Sequence, residues 1–388
     1  MIIQSLLDTD LYKLTMMQAV LHHFPSAQAE YQFRCRTDGV DLRPYAHAVH
    51  SEIEQLAALR LTDAEKSWLA GLPYLREDFV EHLARFRFDP RHVSVRPGRD
   101  QLEITIRGPW VSTILFEVPV LAIVNEVYFR NHPPAYGFSD ALMRLGHKAE
   151  LMDGAGIGFG VTEFGTRRRF SRDWHEELLH GLRRLVPDNL AGTSNVDLAR
   201  RLDLAPSGTM AHEFFQGCQA LAPSLGEAQN YALETWLSEY KGALGIALSD
   251  TYGLDAFLAD FRGEFARRYS GVRHDSGDPF EWTERMIEHY EAEGIDPRTK
   301  KLIYSDSLTV PLALELFIRY RSRAKLGFGI GTNLTNDVGP APLNIVVKMT
   351  RLNGQAVAKI SDDPGKSICP DPTYLDNLRD VYRRKVAV

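Results

Sequence analysis

The chain has little cysteine: three in 388 residues, Cys35, Cys218 and Cys369, far apart and without CxxC spacing. That excludes a disulfide framework and a zinc ribbon, and it implies a reducing cytoplasm as the setting. Positive charge is not in excess either. With 45 Lys+Arg against 51 Asp+Glu the net charge is -6, which argues against nonspecific nucleic-acid binding, so an anionic ligand must be drawn in by a local basic cluster. The N-terminus MIIQSLLDTD lacks the basic region of a secretory signal and carries acids early. The most apolar helix-length run, 111–124, is interrupted by Glu117 and Pro119 and falls short of the roughly 20 residues of a membrane span. No membrane segment is expected. Repeats, low-complexity segments, a Walker A sequence and GxGxxG are also missing. His212-Glu213 begins an HExxH pattern, but Gln216 stands where the second zinc ligand would be.

What is present is ordinary globular material, 44% hydrophobic and 25% charged, in a chain longer than one usual domain, so two domains are expected. Residues 10–24 read as a helix closed by Pro25, with Leu11, Leu14, Met17 and Leu21 on one face and Tyr12 and Lys13 off that stripe. Residues 29–36 alternate as a strand, Thr62 to Glu65 forms a capping box, and 92–96 and 102–107 read as a hairpin around Pro97-Gly98. From about Ser139 short apolar runs end in Gly, Ser or Asp and lead into helical patterns, the signature of βα units. Four such runs lead into Ser249-Asp250-Thr251, into Arg273 to Asp278, into Ser305-Asp306-Ser307 and into Ile330 to Asn333. One helix is expected over 255–269. In a parallel barrel these loops share one face, where polar residues from distant positions converge. After Pro342 antiparallel character returns, with 343–351 and 355–360 flanking the hairpin dipeptide Asn353-Gly354, and an amphipathic helix from Tyr374 to about Arg384 ends the chain. The boundaries expected are 1–135, 136–341 and 342–388.

The stretch PSGTMAHEFFQ places His212 in the first turn of a helix, where free N–H groups and the helix dipole favour an anion and keep imidazole neutral and nucleophilic. A histidine that merely satisfies a helix start is the competing reading. Phe328 to Asn333, with Gly329 and Gly331 bare of side chains, offers backbone donors to a phosphate, though such strand ends also serve simply as turns. Asp275, Ser276 and Asp278 in RHDSGD, with Asp306 one strand later, are placed to hold Mg²⁺ and sugar hydroxyls, or to cap helices. Of the arginines at 167–169, 172, 183 and 184, only one or two can face a common pocket, and Arg167, following Phe164-Gly165, is the choice.

Taken together, LLDTDLYKLTMMQAV, YQFRCR, TEFGTRRRFS, GTSNV, SGTMAHEFFQ, RHDSGDP, YSDSL and FGIGTNLTND resemble the nicotinate phosphoribosyltransferase family over nearly the whole chain. The resemblance implies an irregular type II phosphoribosyltransferase α/β barrel, packed on an N-terminal α+β domain completed by the C-terminal segment. It implies a homodimer with its active site at the interface. The implied reaction converts nicotinate and phosphoribosyl pyrophosphate to nicotinate mononucleotide for NAD salvage, with ATP and Mg²⁺. By that likeness His212 is phosphorylated by ATP, and Tyr12, from the partner subunit, and Phe164 sandwich the pyridine ring. Thr209 and Arg273 contact the acid; Arg167, Gly331 and Thr332 hold phosphates. Asp306 meets the ribose and Asp275 lies near the reacting carbon and the metal. Ser194 falls where related nicotinamide-using enzymes look to carry an aspartate, and a neutral residue there suits a carboxylate substrate. A nicotinamide or quinolinate phosphoribosyltransferase and a noncatalytic phosphate sensor are the alternatives.

Overall fold

The computed structural model describes residues 1–135, 137–360 and 369–387. Two sheets organise it. Strands β1 (Gln28–Cys35), β2 (Val93–Pro97) and β3 (Leu102–Pro109) begin an antiparallel sheet. Six parallel strands follow: β4 (Val161–Glu163), β5 (Leu190–Thr193), β6 (Ile246–Leu248), β7 (Gly271–His274), β8 (Lys301–Tyr304) and β9 (Lys325–Ile330). Then β10 (Ile345–Leu352) and β11 (Gln355–Ala356) return to the first sheet. Its order is β11-β10-β1-β3-β2, and that of the parallel sheet is β5-β4-β9-β8-β7-β6.

The edges of the parallel sheet are joined by a stretch that is not itself a strand. Thr193 bridges to Pro206, Ser207 N–H donates to the Thr193 carbonyl at 2.9 Å, and Thr209 Oγ1 donates to the Ile246 carbonyl at 3.0 Å. Residues 206–209 thus fill the gap between β5 and β6 and close an irregular barrel. Gly192, at φ 152°, has no room for a Cβ beside the Ala205 carbonyl, which lets this stretch lie so close.

Local signals mostly decide the elements. The capping box at Thr62 and Glu65 forms, and Asn353 (φ 50°) and Gly354 (φ 82°) make the left-handed pair of a tight hairpin. The second arm of that hairpin is only two residues long, shorter than 355–360. The helix expected over 255–269 breaks into Leu254–Asp260 and Glu264–Arg268, because Gly263 turns to φ 54° and gives its N–H to Glu293. Residues 110–130 form one helical run of 21 residues, longer than expected. Pro119 sits in the first turn of its Glu117–Arg130 part, where a missing N–H is tolerated. By length and composition alone the run could cross a bilayer, but 89% of its most apolar window is buried inside this protein.

Candidate active site

The C-terminal ends of β4, β5, β7, β8 and β9 open into a cavity of about 290 Å³, roofed by β10 and by the start of the Leu11–His23 helix. Among the sequence-predicted residues, Tyr12, Phe164, Arg167, Ser194, His212, Arg273, Asp275, Asp306, Gly331 and Thr332 all line it. Two do not. Thr209 spends its hydroxyl on β6 and its carbonyl on Thr15 Oγ1, so it closes the barrel. Gly329 lies behind Phe164, whose ring occupies the space a Cβ would need, so it seats the aromatic rather than a phosphate.

His212 opens the short helix His212–Cys218 and is 6% exposed. Its Nε2 lies 2.7 Å from Asp250 Oδ1, and its Nδ1 is 3.6 Å from Asp275 Oδ2. Asp250 also accepts from Ser276 Oγ at 2.6 Å and from Lys359 Nζ. With Nε2–H donating to Asp250, the lone pair of the neutral ring sits on Nδ1. Burial, and then the Lys359 ammonium, draw His212 down to about 4, so the ring is neutral at physiological pH. The expectation of a neutral imidazole holds, but burial rather than a helix dipole is the main cause. For Asp250, burial is outweighed by His212 and Lys359, which hold the carboxyl well below its usual range.

Asp275 uses Oδ1 to accept from Ser305 Oγ at 3.0 Å, and its side chain is 29% exposed toward the cavity. Asp306 lines the same wall. Among the described residues His212, Asp250 and Asp275 form a group close enough to share a cation. Asp250 is buried and already engaged by His212, Ser276 and the Lys359 ammonium, so the donor set that fits Mg²⁺ is Asp275, with Asp306 nearby. One or two carboxylates plus substrate phosphates is the usual arrangement for that ion. Asp278, by contrast, caps the Pro279–Ala292 helix.

Another part of the cavity wall is aromatic and cationic. Tyr12 is buried, its hydroxyl has no hydrogen-bond partner among the described residues, and the Arg167 guanidinium lies 5.7 Å from its ring. Tyr12 of this chain lines the same cavity as Phe164 and His212. The reason is local: Leu11 N–H donates to the Ser194 carbonyl at 2.8 Å and Ser194 Oγ donates to Asp10 at 2.7 Å, which pins the helix start to the barrel. That second bond also sets a charged neighbour beside the neutral Ser194. Asp10 supplies a carboxylate beside it, raised by burial against the pull of Arg167, whose Nε lies 3.7 Å away.

Of the arginine run, Arg167 and Arg168 reach the cavity. Arg169 is fully buried in a two-pronged pair with Asp8 (2.6 and 2.8 Å), and Arg172 turns to Asp197. Lys348 on β10 and Arg36 add positive charge, and burial draws Lys348 down to about 8. Lys13, off the apolar stripe, is completely buried between Glu117 and Glu213. Glu213 accepts besides from Tyr31 Oη (2.5 Å) and Trp110 Nε1 (2.7 Å). Asp10, Asp250, Lys348 and Lys359 were not singled out from sequence. Asp250 carried a usable signal, standing at a strand end as Asp275 and Asp306 do; Lys359, 109 positions from its partner, carried none.

Comparison with known proteins agrees with this architecture. Residues 7–125 match the nicotinate phosphoribosyltransferase (NAPRTase) N-terminal domain, and 159–386 match the nicotinate phosphoribosyltransferase (NAPRTase) family. A nicotinate phosphoribosyltransferase of Cupriavidus necator is 56% identical over 386 residues, covering 98% of each chain; that of Burkholderia ambifaria is 54% identical over 388. The crystal structure of nicotinate phosphoribosyltransferase from Vibrio cholerae superposes with a TM-score of 0.93 at 42% identity, covering 99% of this chain and 94% of that one. The corresponding enzyme structure from Porphyromonas gingivalis gives 0.93 at 37%, covering 98% and 100%. This chain belongs to the nicotinate phosphoribosyltransferase family.

Proposed function

We propose that the protein transfers the phosphoribosyl group of phosphoribosyl pyrophosphate to nicotinate, giving nicotinate mononucleotide and pyrophosphate for NAD salvage, with ATP spent through phosphorylation of His212. The pyridine nitrogen attacks C1′ with its own lone pair, and the C1′–O bond breaks with its electrons on pyrophosphate. No proton moves, so no general base is needed. The site has to hold two anions in line and stabilise a ribose with oxocarbenium character. Tyr12 and Phe164 serve the pyridine ring. Arg273 serves its carboxylate, Arg167, Gly331 and Thr332 the phosphates, and Asp306 the ribose. Mg²⁺, when bound through Asp275, would neutralise charge on the departing pyrophosphate.

In the ATP step the Nδ1 lone pair of His212 attacks the γ-phosphorus and ADP leaves. Water later cleaves the P–N bond, returning neutral imidazole and inorganic phosphate. The single observation that carries this reading is the cradle of His212: Nε2 is occupied by Asp250, and Nδ1 faces Asp275 inside the cavity that Phe164 and Thr332 also line. The same reading makes the protein a cytoplasmic homodimer, for which light scattering should return twice the 43.8 kDa chain mass.

Product analysis with nicotinate, phosphoribosyl pyrophosphate and Mg²⁺, with and without ATP, tests the reaction. Labelled ATP tests the intermediate: acid-labile phosphate is expected on the wild type and not on His212→Ala. Label that persists in that variant would sink the assignment to His212. Formation of product from nicotinamide or quinolinate in preference to nicotinate would replace the substrate.

A further inference from the structure

Glu163 is 0% exposed, ends β4 and does not line the cavity, yet its carboxylate is where three elements meet. Oε1 accepts from the Gly165 N–H. Oε2 accepts from Thr193 Oγ1 at 2.6 Å and lies 2.7 Å from His175 Nε2, on the Arg172–Leu185 helix. The Thr193 hydroxyl in turn accepts from the Asn195 N–H at 3.1 Å, and the Glu163 carbonyl accepts from the Ser194 N–H at 2.8 Å. The residue between Glu163 and Gly165 is Phe164, and the residue between Thr193 and Asn195 is Ser194. Both side chains enter the cavity at its aromatic end.

A fully buried carboxylate is costly unless paired and hydrogen-bonded, and a barrel wall needs none for packing. We propose that Glu163 is a positioning residue that fixes, from behind, the two loops on which Phe164 and Ser194 face the pyridine ring. This rests on the assignment of that end of the cavity to nicotinate. Gly165 and Thr193 both ask for an acceptor: Gly165 brings an N–H, and the Thr193 hydroxyl, which accepts from the Asn195 N–H, gives its proton to the carboxylate. A carboxylate meets both; a carboxamide of the same size turns its own N–H₂ toward one of them. His212 hangs from a different support, Asp250 and Lys359, with no bond to Glu163. The acceptor loops and the phosphorylation centre are therefore separable.

The test is Glu163→Gln in the full chain, with Thr193→Val as a milder second variant that removes one of the same bonds. The expected result is a fall of about 10²-fold in kcat/KM for nicotinate, the scale for small misplacement of a bound reactant. It should appear mainly as a rise in the KM for nicotinate, with ATP-dependent labelling of His212 near the wild-type level. Thr193→Val should shift the same constant in the same direction by less. Labelling and transfer that fall together, or an unchanged KM, would overturn the proposal and leave Glu163 as a support of the fold; if Glu163→Gln does not fold, Thr193→Val decides by the same readout. Wild-type protein that made no nicotinate mononucleotide would refute the functional reading instead, and calorimetric nicotinate binding to wild type and variant would still judge Glu163.

Discussion

Asp250 holds His212 by Nε2 at 2.7 Å, and its other oxygen is held by Ser276 and Lys359, so the imidazole is fixed in one orientation and one tautomer. Asp250→Asn keeps the shape but sets an amide among donors: Lys359 and Ser276 on one side, Nε2–H on the other. The ring then loses the acceptor that leaves its lone pair on Nδ1. Phosphorylation of His212 by ATP should slow by on the order of 10²- to 10⁴-fold, the range known when an orienting aspartate is neutralised. Nicotinate binding should be unchanged. Rapid-quench labelling alongside calorimetry checks both halves.

Because His212 is drawn down from 6.5 to about 4, its phosphorylation should stay level from neutral pH to about 5. An ordinary histidine would lose half its nucleophile near 6.5. Lys359→Met removes the second cause of the depression, so the acid limb should move to higher pH. Stability follows the same logic. The unfolded chain protonates this histidine first, so acid favours unfolding between 6.5 and about 4. Asp250 and Asp275, both held low in the fold, extend that loss below 3.8. Labelling rates and urea midpoints measured across pH check the two limbs.

Local chemistry was legible in the sequence wherever one residue decides an outcome. Asn353-Gly354 set a hairpin, Thr62 and Glu65 a cap, and the strand ends at Asp275, Asp306 and Gly331 marked one face of a barrel. What escaped depends on partners far along the chain. Lys13 falls off the apolar stripe of its helix, yet Glu213, 200 positions on, keeps it buried. Thr209 and Gly329 stood inside the right motifs, but motif membership does not tell a lining residue from one behind the wall; only the ring of Phe164 against Gly329 does. Periodicity failed over 255–269 because a phenylalanine every four residues outweighed one Gly263.

Gly329 makes a sharp test of that backing role. A methyl group there overlaps the Phe164 ring, whose one free side is the cavity. Gly329→Ala should therefore push Phe164 into the cavity and raise the KM for nicotinate by about tenfold or more, the effect of removing roughly 1.4 kcal/mol of binding. Labelling of His212 should be spared. Steady-state kinetics with varied nicotinate checks this.

Ser194→Asp would set a second carboxylate against Asp10, whose oxygen now takes the serine hydroxyl at 2.7 Å. Two like charges so close are costly, and a nicotinate carboxylate entering the same corner would make a third. The ratio of kcat/KM for nicotinate over nicotinamide should fall by about 10- to 100-fold, with most of the change on the nicotinate side. A ratio that does not move would show that the acid group, held by Arg273, does not approach the Ser194 corner.

The last prediction concerns the seam between the N-terminal segment and the barrel. Arg169 is 0% exposed and grips Asp8 with both terminal nitrogens, while Asn195 adds a third bond to the same carboxylate at 2.8 Å. Burial alone would raise Asp8, but Arg169 overrides it and holds the carboxyl low, so the charge persists inside the protein. Arg169→Met keeps much of the volume and leaves that charge only Asn195 and the more distant Arg172, 3.7 Å away; breaking such a buried pair typically costs about 3–5 kcal/mol. Asp8→Asn together with Arg169→Met removes both charges and should recover much of the loss. Urea unfolding of the single and double variants separates a buried pair that the fold depends on from one that it merely tolerates. Because Asp8 lies two residues before Asp10 and four before Tyr12, the single variant should also loosen the start of the Leu11–His23 helix. The KM for nicotinate should rise with the loss of stability and return with it in the double variant.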